Sequence, residues 1–403
     1  MLVSLRRWSL PLLVLMLLGI GILTLSPQPD PGYGGTGFRC LLCGSRGIAD
    51  LILNVALFVP LGWALGARGA RPIAGLGISL AIAGGVEVLQ LLIPGREATV
   101  RDILTNGLGG GIGCLIFAYG RGWLADRRQA RVASCLALVA LVGVVGIVGP
   151  VLAPRPAPDR IFVGWNPNQD HLERWTGAIH RVEIGGRPAA PGGTADGTLI
   201  NSALLHGATI DIQASAGVPT SRVAGIFTVN DRETNEILLV GAERRDLVVR
   251  FRRAASVLRL DSPVLRFREA LAPIPAGQPL HITVHVTDAG ACAAVNEQTT
   301  CTAPFSVGSA WSLLAWRDDA PRSLIRFLDA TTLGILFGTL TIFFPAVGRF
   351  AASALLGGAG VAIALASTRW GLTIVAAPEL LGIFGGAGLG YALSRLVRGS
   401  SWA

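Results

Sequence analysis

Seven residues between positions 50 and 106 have types and spacing that could do chemistry. Asp50 and Asn54 stand four apart, Glu87 and Gln90 three apart, and Asp102 and Asn106 four apart; Arg96 lies between the last two pairs. On a helix, residues three or four apart share a face, so each pair forms a short polar stripe. A carboxylate beside an amide can accept and donate hydrogen bonds to a polar ligand. Glu87 or Asp102 could also serve as a general base, within reach of a substrate proton. The planar guanidinium of Arg96 matches a carboxylate or a phosphate in a two-pronged geometry.

The stretches that carry these pairs are apolar. "ADLILNVALFVPLGW" (49–63) holds the first pair, "GGVEVLQLLIPGRE" (84–97) the second, and "VRDILTNGLGGGIG" (100–113) the third. An ionised side chain facing lipid at mid-span costs roughly 2.5–3.5 kcal/mol on insertion scales. Gathered together, three carboxylates and an arginine can satisfy one another. At ~1.5 Å per residue, Glu87 lies about 10 Å and Asn106 about 6 Å inside the helix ends. The short connection between the second and third stretches makes those helices neighbours. The expected binding pocket is therefore Asp50, Asn54, Glu87, Gln90, Arg96, Asp102 and Asn106. A plainer reading is that the pairs only pin helices together, at about 0.6 kcal/mol per interhelical bond. Gly109 and Gly113, one turn apart, and Pro60 read as packing features.

The whole composition supports a membrane setting. Of 403 residues, 51% are hydrophobic and only 15% charged, against about a quarter charged in ordinary soluble domains. Eight stretches are long and apolar enough for spans of ~20 residues: 8–25, 48–65, 72–93, 102–119, 132–151, 327–344, 350–366 and 377–397. The first reads as an uncleaved anchor, since no small-x-small cleavage site precedes "SPQPD". Arg6, Arg7, Arg68, Arg71, Arg121, Arg127, Arg128, Arg131, Arg349, Arg395 and Arg398 fall on one side of these spans. The positive-inside rule makes that side cytoplasmic, with both termini. The polar cluster then faces outward.

Every basic residue counted among the 34 Lys+Arg is arginine, which excludes a Schiff-base or phosphate-loop lysine. The histidines are His171, His180, His206, His281 and His285, none in a span, so no histidine serves as base or ligand in the membrane part. The net charge of +9 is spread over short loops and a β-rich region, not one basic stripe, which argues against nucleic acid. No cofactor or metal is expected.

The fold class expected is a polytopic α-helical membrane protein of about eight transmembrane helices with an inserted all-β sandwich. The parts are a five-span bundle (1–152), an exterior sandwich (153–326) and a three-span C-terminal segment (327–403). "IFVGW", "AIHRVEI", "ATIDIQ", "VAGIFTV", "EILLVG", "DLVVRF", "LHITVHV" and "WSLLAW" read as short strands, with no convincing helix among them. Cys292 and Cys301 flank "AAVNEQTT", where a hairpin disulfide is reasonable. Cys40 and Cys43 could pair or stay reduced, and Cys114 and Cys135 read as small apolar filler. On a strand, His281 and His285 stand ~13 Å apart at ~3.3 Å per residue, too far to share a metal. Trp165, Trp175, Trp311 and Trp316 suit either sugar stacking or the core.

Residues 48–117 resemble the VanZ-like family of bacterial membrane proteins. Asp50, Asn54, Pro60, Gly62, Glu87, Gln90, Arg96, Asp102, Asn106 and Gly109 match its ordered pattern; Gly107 stands where threonine is commoner. The resemblance implies a bacterial cytoplasmic membrane location and a link to teicoplanin-type glycopeptide resistance. It supplies no reaction. "ERWTGAIHRVEIGGRPA" (173–189) resembles a strand pair of laminin-G or concanavalin A-like sandwiches, which implies a jelly-roll, lectin-type domain. The expected partners are membrane lipids at the polar cluster and an envelope glycan or protein at the sandwich. Rival readings are an enzyme acting on an envelope lipid and a helix-pinning scaffold. A transporter is disfavoured by the one-sided cluster and the lack of an inverted repeat.

Overall fold

The computed structural model describes residues 2–27, 44–96, 98–169, 171–272, 274–287, 290–302, 305–316, 320–344, 348–370, 372–373 and 377–399. Cys40 and Cys43 lie outside the described residues.

Five helices come first: α1 (Leu2–Leu25), α2 (Gly47–Ala67), α3 (Pro72–Gln90), α4 (Val100–Ala125) and α5 (Arg127–Leu152). Their ends follow local chemistry. Pro72 opens α3, where its missing N–H costs no helical bond. Thr99 caps α4 by accepting from the Asp102 N–H, and Asp126 caps α5 by accepting from Arg128 and Gln129. Glycine lets α2 and α4 touch along their backbones. A Cβ at Gly62 would stand 2.0 Å from the Gly110 carbonyl oxygen, and one at Gly113 2.0 Å from that of Val59. α1 and α3 flank this pair.

A β domain follows. One antiparallel sheet runs β10 (Leu265–Phe267), β9 (Asp246–Phe251), β8 (Glu236–Glu243), β7 (Ala224–Asn230), β1 (Arg160–Trp165) and β5 (Thr194–Asp196), with the two-residue β2 (Glu173–Arg174) parallel to β7. The other runs β13 (Gln298–Cys301), β12 (Gly290–Val295), β11 (Pro279–Thr287), β6 (Thr209–Ser215), β3 (Ile179–Ile184) and β4 (Arg187–Pro188). Alternating side chains of both, such as Ile161 and Val163 against Ile210 and Ile212, belong to one buried core. Cys292 and Cys301 face each other across β12 and β13 and are disulfide-bonded.

Two expectations for this region are corrected. A ten-residue helix, α6 (Gly197–His206), lies between β5 and β6. Its signals are readable: Asp196 accepts from the Thr198 N–H, Gly207 ends it at φ 69°, and Leu199, Ile200, Ala203 and Leu204 form a buried stripe. "WSLLAW" is not a strand. Its first three residues end a 3-10 turn (Val307–Leu313) opened by a capping box between Ser306 and Ser309, and the rest follows without regular structure. One further turn, α7 (Ala254–Val257), follows β9.

The chain closes with α8 (Arg322–Thr341), α9 (Arg349–Trp370) and α10 (Ala377–Gly399). α8 packs along α10, and α9 packs on α5. The buried core of the β domain continues into these helices through Val148, Leu152, Leu333 and Phe337. Among the described residues, six helices are long and apolar enough to cross a membrane: α2, α3, α4, α5, α8 and α9. α1 and α10 are helices where the first and last spans were expected, but they fall outside those six; among the described residues Ser9–Leu25 of α1 forms a shorter apolar helix. Large apolar side chains point away from the protein around the bundle, such as Ile73 (81% exposed) and Leu92 (79%). That is the surface a lipid solvent requires.

Candidate functional site

Of the expected polar residues, Asp50, Asn54, Asp102 and Asn106 lie at the ends of α2 and α4 that face the β domain. α2 begins under a β-domain loop: the Ile48 and Ala49 N–H groups both donate to the Arg259 carbonyl, at 3.1 and 3.3 Å. This satisfies two of the backbone donors that a helix start leaves open. Arg46 reaches from the same place to Asp261 (3.0 Å) and to the Leu314 carbonyl (3.0 Å).

One turn after Asp50 on α2, Asn54 Nδ2 donates to Asp102 Oδ1 of α4 at 2.7 Å. Arg101 Nε donates to the same oxygen at 3.0 Å, and its Nη2 lies 3.7 Å from Asp50 Oδ2. Two carboxylates, one amide and one guanidinium thus form a single network across two helices. The start of α4 adds a positive dipole end beside Asp102. Arg101 is nearly buried, while the Asp50 side chain stays 40% exposed. The network is therefore reachable from its Asp50 side.

Glu87 is buried at the end of α3 and accepts the Thr99 N–H at 2.7 Å. It holds the turn into α4 in place. Gln90 Nε2 donates to the Thr24 carbonyl at 2.9 Å, tying α3 to α1. Asn106 lies one turn below Asp102 on the same face of α4 and is 3% exposed. Its Oδ1 has no hydrogen-bond partner among the described residues. An unmet buried acceptor costs about 1–3 kcal/mol.

Arg96 lies elsewhere than the sequence suggested. Its Nε and Nη2 donate to the Ser26 and Leu23 carbonyls, both at 2.9 Å. It closes the C-terminal end of α1, where carbonyls lack helical donors and a cation is favoured. The guanidinium that serves the carboxylates is Arg101. Sequence reasoning passed over it because adjacent residues on a helix do not face each other. A long side chain at the first turn overcomes that, and the Val-Arg-Asp phrase at the start of α4 was the available signal. Thr99 was missed as well, though a threonine three residues before Asp102 is a cap pattern.

Cys114 is buried and donates to the Gly62 carbonyl at 2.9 Å, whereas Cys135 is exposed. Trp175 is 3% exposed, and Trp165 donates to the Ala189 carbonyl. Trp311 and Trp316 stack with centroids 5.7 Å apart.

Six apolar helices and a polar network at their β-domain ends describe a multi-pass membrane protein with a folded β domain. No curated protein and no solved structure matches the chain. Residues 13–121, which hold every member of the network and the α1 carbonyls that Arg96 closes, match the VanZ/LLP1 family model.

Proposed function

We propose that the network at the β-domain ends of α2 and α4 is a pocket for the polar headgroup of a membrane lipid or lipid-linked envelope precursor. The observation that carries this is the unmet Oδ1 of Asn106, buried one turn below Asp102. Buried polar atoms are nearly always paired, so an orphan beside a carboxylate network is a place for a ligand group. The accessible Asp50 side supplies a way in.

In this reading the β domain faces the cell exterior of a bacterial cytoplasmic membrane, with both termini cytoplasmic. Its two sheets serve as a lectin-like module for an envelope glycan or protein. The VanZ/LLP1 match over residues 13–121 supports a membrane role, and the resemblance to VanZ-like proteins is what implies a connection with glycopeptide resistance. Mass spectrometry of lipids that copurify with the wild type and with Asn106→Leu tests the pocket. A lipid enriched by the wild type and lost from the variant supports it. Identical profiles, with both proteins equally folded, leave the network as a helix pin, the role that the Asn54–Asp102 bond fits.

A further inference from the structure

A second carboxylate pair lies at the β-domain ends of the C-terminal helices. Asp329 of α8 and Glu379 of α10 are buried, at 8% and 4% exposure. Both meet the 3-10 turn of the β domain. Trp311 Nε1 donates to Asp329 Oδ1 at 2.7 Å, and Ser306 Oγ donates to Glu379 Oε1. Gly308 sits between them: a Cβ there would stand 2.6 Å from Glu379 Oε1 and 2.8 Å from the Asp329 carbonyl oxygen. Only a glycine lets the turn seat so deeply.

The helix pair beneath repeats the register of α2 and α4. In the first pair, Gly109 and Gly113 press on the Val55 and Val59 carbonyls; in the second, Gly386 and Gly390 press on those of Gly334 and Gly338. Val55 and Val59 follow Asp50 by 5 and 9 residues, and Gly334 and Gly338 follow Asp329 by the same 5 and 9. Gly109 and Gly113 follow Asp102 by 7 and 11 residues, and Gly386 and Gly390 follow Glu379 by the same 7 and 11. Two backbone contacts and two carboxylates in each pair therefore share one register. The third helix does not repeat: α3 packs on α4, whereas α9 packs on α5.

We infer that the α8/α10 pair is a second copy of the α2/α4 pair, and that the acceptors left open at the carboxylate end of each copy receive neutral N–H and O–H donors. The second copy holds the chain's own 3-10 turn; the first takes the sugar headgroup of a neutral glycolipid. This rests on the headgroup reading and names the class of headgroup. The groups that fill the second pair are an indole N–H and a serine hydroxyl, neither of them charged. At the first pair, Asp50, Asp102 and the orphan Asn106 Oδ1 are acceptors, and Arg101 already bridges the two carboxylates. Arg96 is turned to α1. With Asp50, Asp102 and Asp261 set against Arg46 and Arg101, an anion would meet net negative charge there, whereas sugar hydroxyls supply donors to every open acceptor.

The test uses the full chain in phosphatidylcholine nanodiscs doped with either monoglucosyl diacylglycerol or phosphatidic acid of matched tails, read by native mass spectrometry. Glucosyl lipid is expected to be retained over the host lipid, and phosphatidic acid not. Asn106→Leu should weaken that retention by about tenfold, the worth of one good hydrogen bond, while Asn106→Asp, which keeps an acceptor, should preserve it. Displacement by methyl β-glucoside shows that the sugar alone suffices and upholds the donor chemistry. Retention of phosphatidic acid instead overturns the inference but leaves the headgroup pocket standing. Retention of neither overturns both. For the second copy, a Ser306→Ala/Trp311→Phe variant should raise amide exchange across 306–313 by at least tenfold. Unchanged exchange overturns the receptor role of Asp329 and Glu379.

Discussion

Asn54 and Asp102 are 48 residues apart in sequence and joined by a 2.7 Å hydrogen bond between α2 and α4. The bond is possible because Gly62, Gly109 and Gly113 let the two backbones come within side-chain-free contact below it. Packing thus sets the distance, and the polar pair fixes the register. The same arrangement leaves Asp102 shared between Asn54 and Arg101, so each partner's contribution depends on the other.

Replacing Asn54 by leucine removes one of the two donors to Asp102 Oδ1 without removing its cation. The expected loss is about 1 kcal/mol, between the ~0.6 of an average intramembrane bond and the ~1.5 of one to a charged group. A double-mutant cycle with Asp102→Asn, measured by reversible unfolding in detergent micelles, should return a coupling of about that size. A coupling indistinguishable from zero means that the contact contributes nothing to holding α2 against α4.

Close helix approach makes a sharper prediction. A Cβ at Gly113 would stand 2.0 Å from the Val59 carbonyl oxygen and 2.7 Å from the Trp63 nitrogen, both backbone atoms that cannot swing away. Gly113→Ala should therefore cost roughly 1–3 kcal/mol, the range for overpacking. At Gly143 of α5 nothing lies within 4 Å. There the same substitution should be neutral or stabilising, since alanine favours helix over glycine by about 1 kcal/mol. Thermal unfolding of the two variants side by side separates contact from propensity; equal shifts would contradict the packing.

Most of the architecture could be read from the chain because its signals are periodic. Long apolar runs gave the helices, and β-branched runs broken by glycine and aspartate gave seven of the strands now seen, from "IFVGW" to "LHITVHV". α6 was hidden because its buried stripe is short and lies among strands. "WSLLAW" was misread because an apolar run of six has no helical or strand period of its own; the Ser306–Ser309 capping box decided it. At the site, spacing identified the polar stripes but could not assign partners. Arg96 and Arg101 are both near Asp102 in sequence, and only the fold shows that one closes α1 while the other bridges carboxylates. The second carboxylate pair was invisible for a similar reason. Asp329 and Glu379 are 50 residues apart, and their common register with Asp50 and Asp102 appears only once the touching glycines are known.

The β7–β8 turn gives a pH prediction. Burial pushes the Asp231 carboxyl up, but hydrogen bonds from the Arg252 guanidinium and from Asn235 outweigh it, leaving Asp231 below its ordinary carboxylate value. A carboxyl whose folded pKa is depressed binds fewer protons folded than unfolded, so its stabilisation is complete above about pH 4 and disappears as pH falls through the folded value. Amide exchange at Thr234 and Asn235 in the intact protein should accelerate on acidification from pH 5 to pH 2.5. Asp231→Asn should flatten that dependence locally while leaving β3 and β6 unchanged. An acid response identical in the variant would assign the loss to other carboxyls.

Arg253 makes the last prediction, because it is fully buried at the joint between α5 and the β domain. Its Nη1 donates to the Leu152 carbonyl at the end of α5, and its guanidinium lies 4.1 Å from the Phe251 ring centroid and 5.0 Å from that of Phe305. Its Nε and Nη2 have no hydrogen-bond partners among the described residues. Burial holds its pKa down to about 9, which still leaves it charged at neutral pH. Two effects therefore oppose each other: attraction to two aromatic faces and a carbonyl, and the desolvation of a cation without a carboxylate. Arg253→Met keeps the volume, removes the charge and leaves only the Leu152 carbonyl to be satisfied otherwise, so stability should change by less than about 1 kcal/mol. Arg253→Ala leaves a cavity between Phe251 and Phe305 and should cost roughly 2–4 kcal/mol. If methionine is as damaging as alanine, the charge itself clamps α5 to the β domain, through the rings and the Leu152 carbonyl.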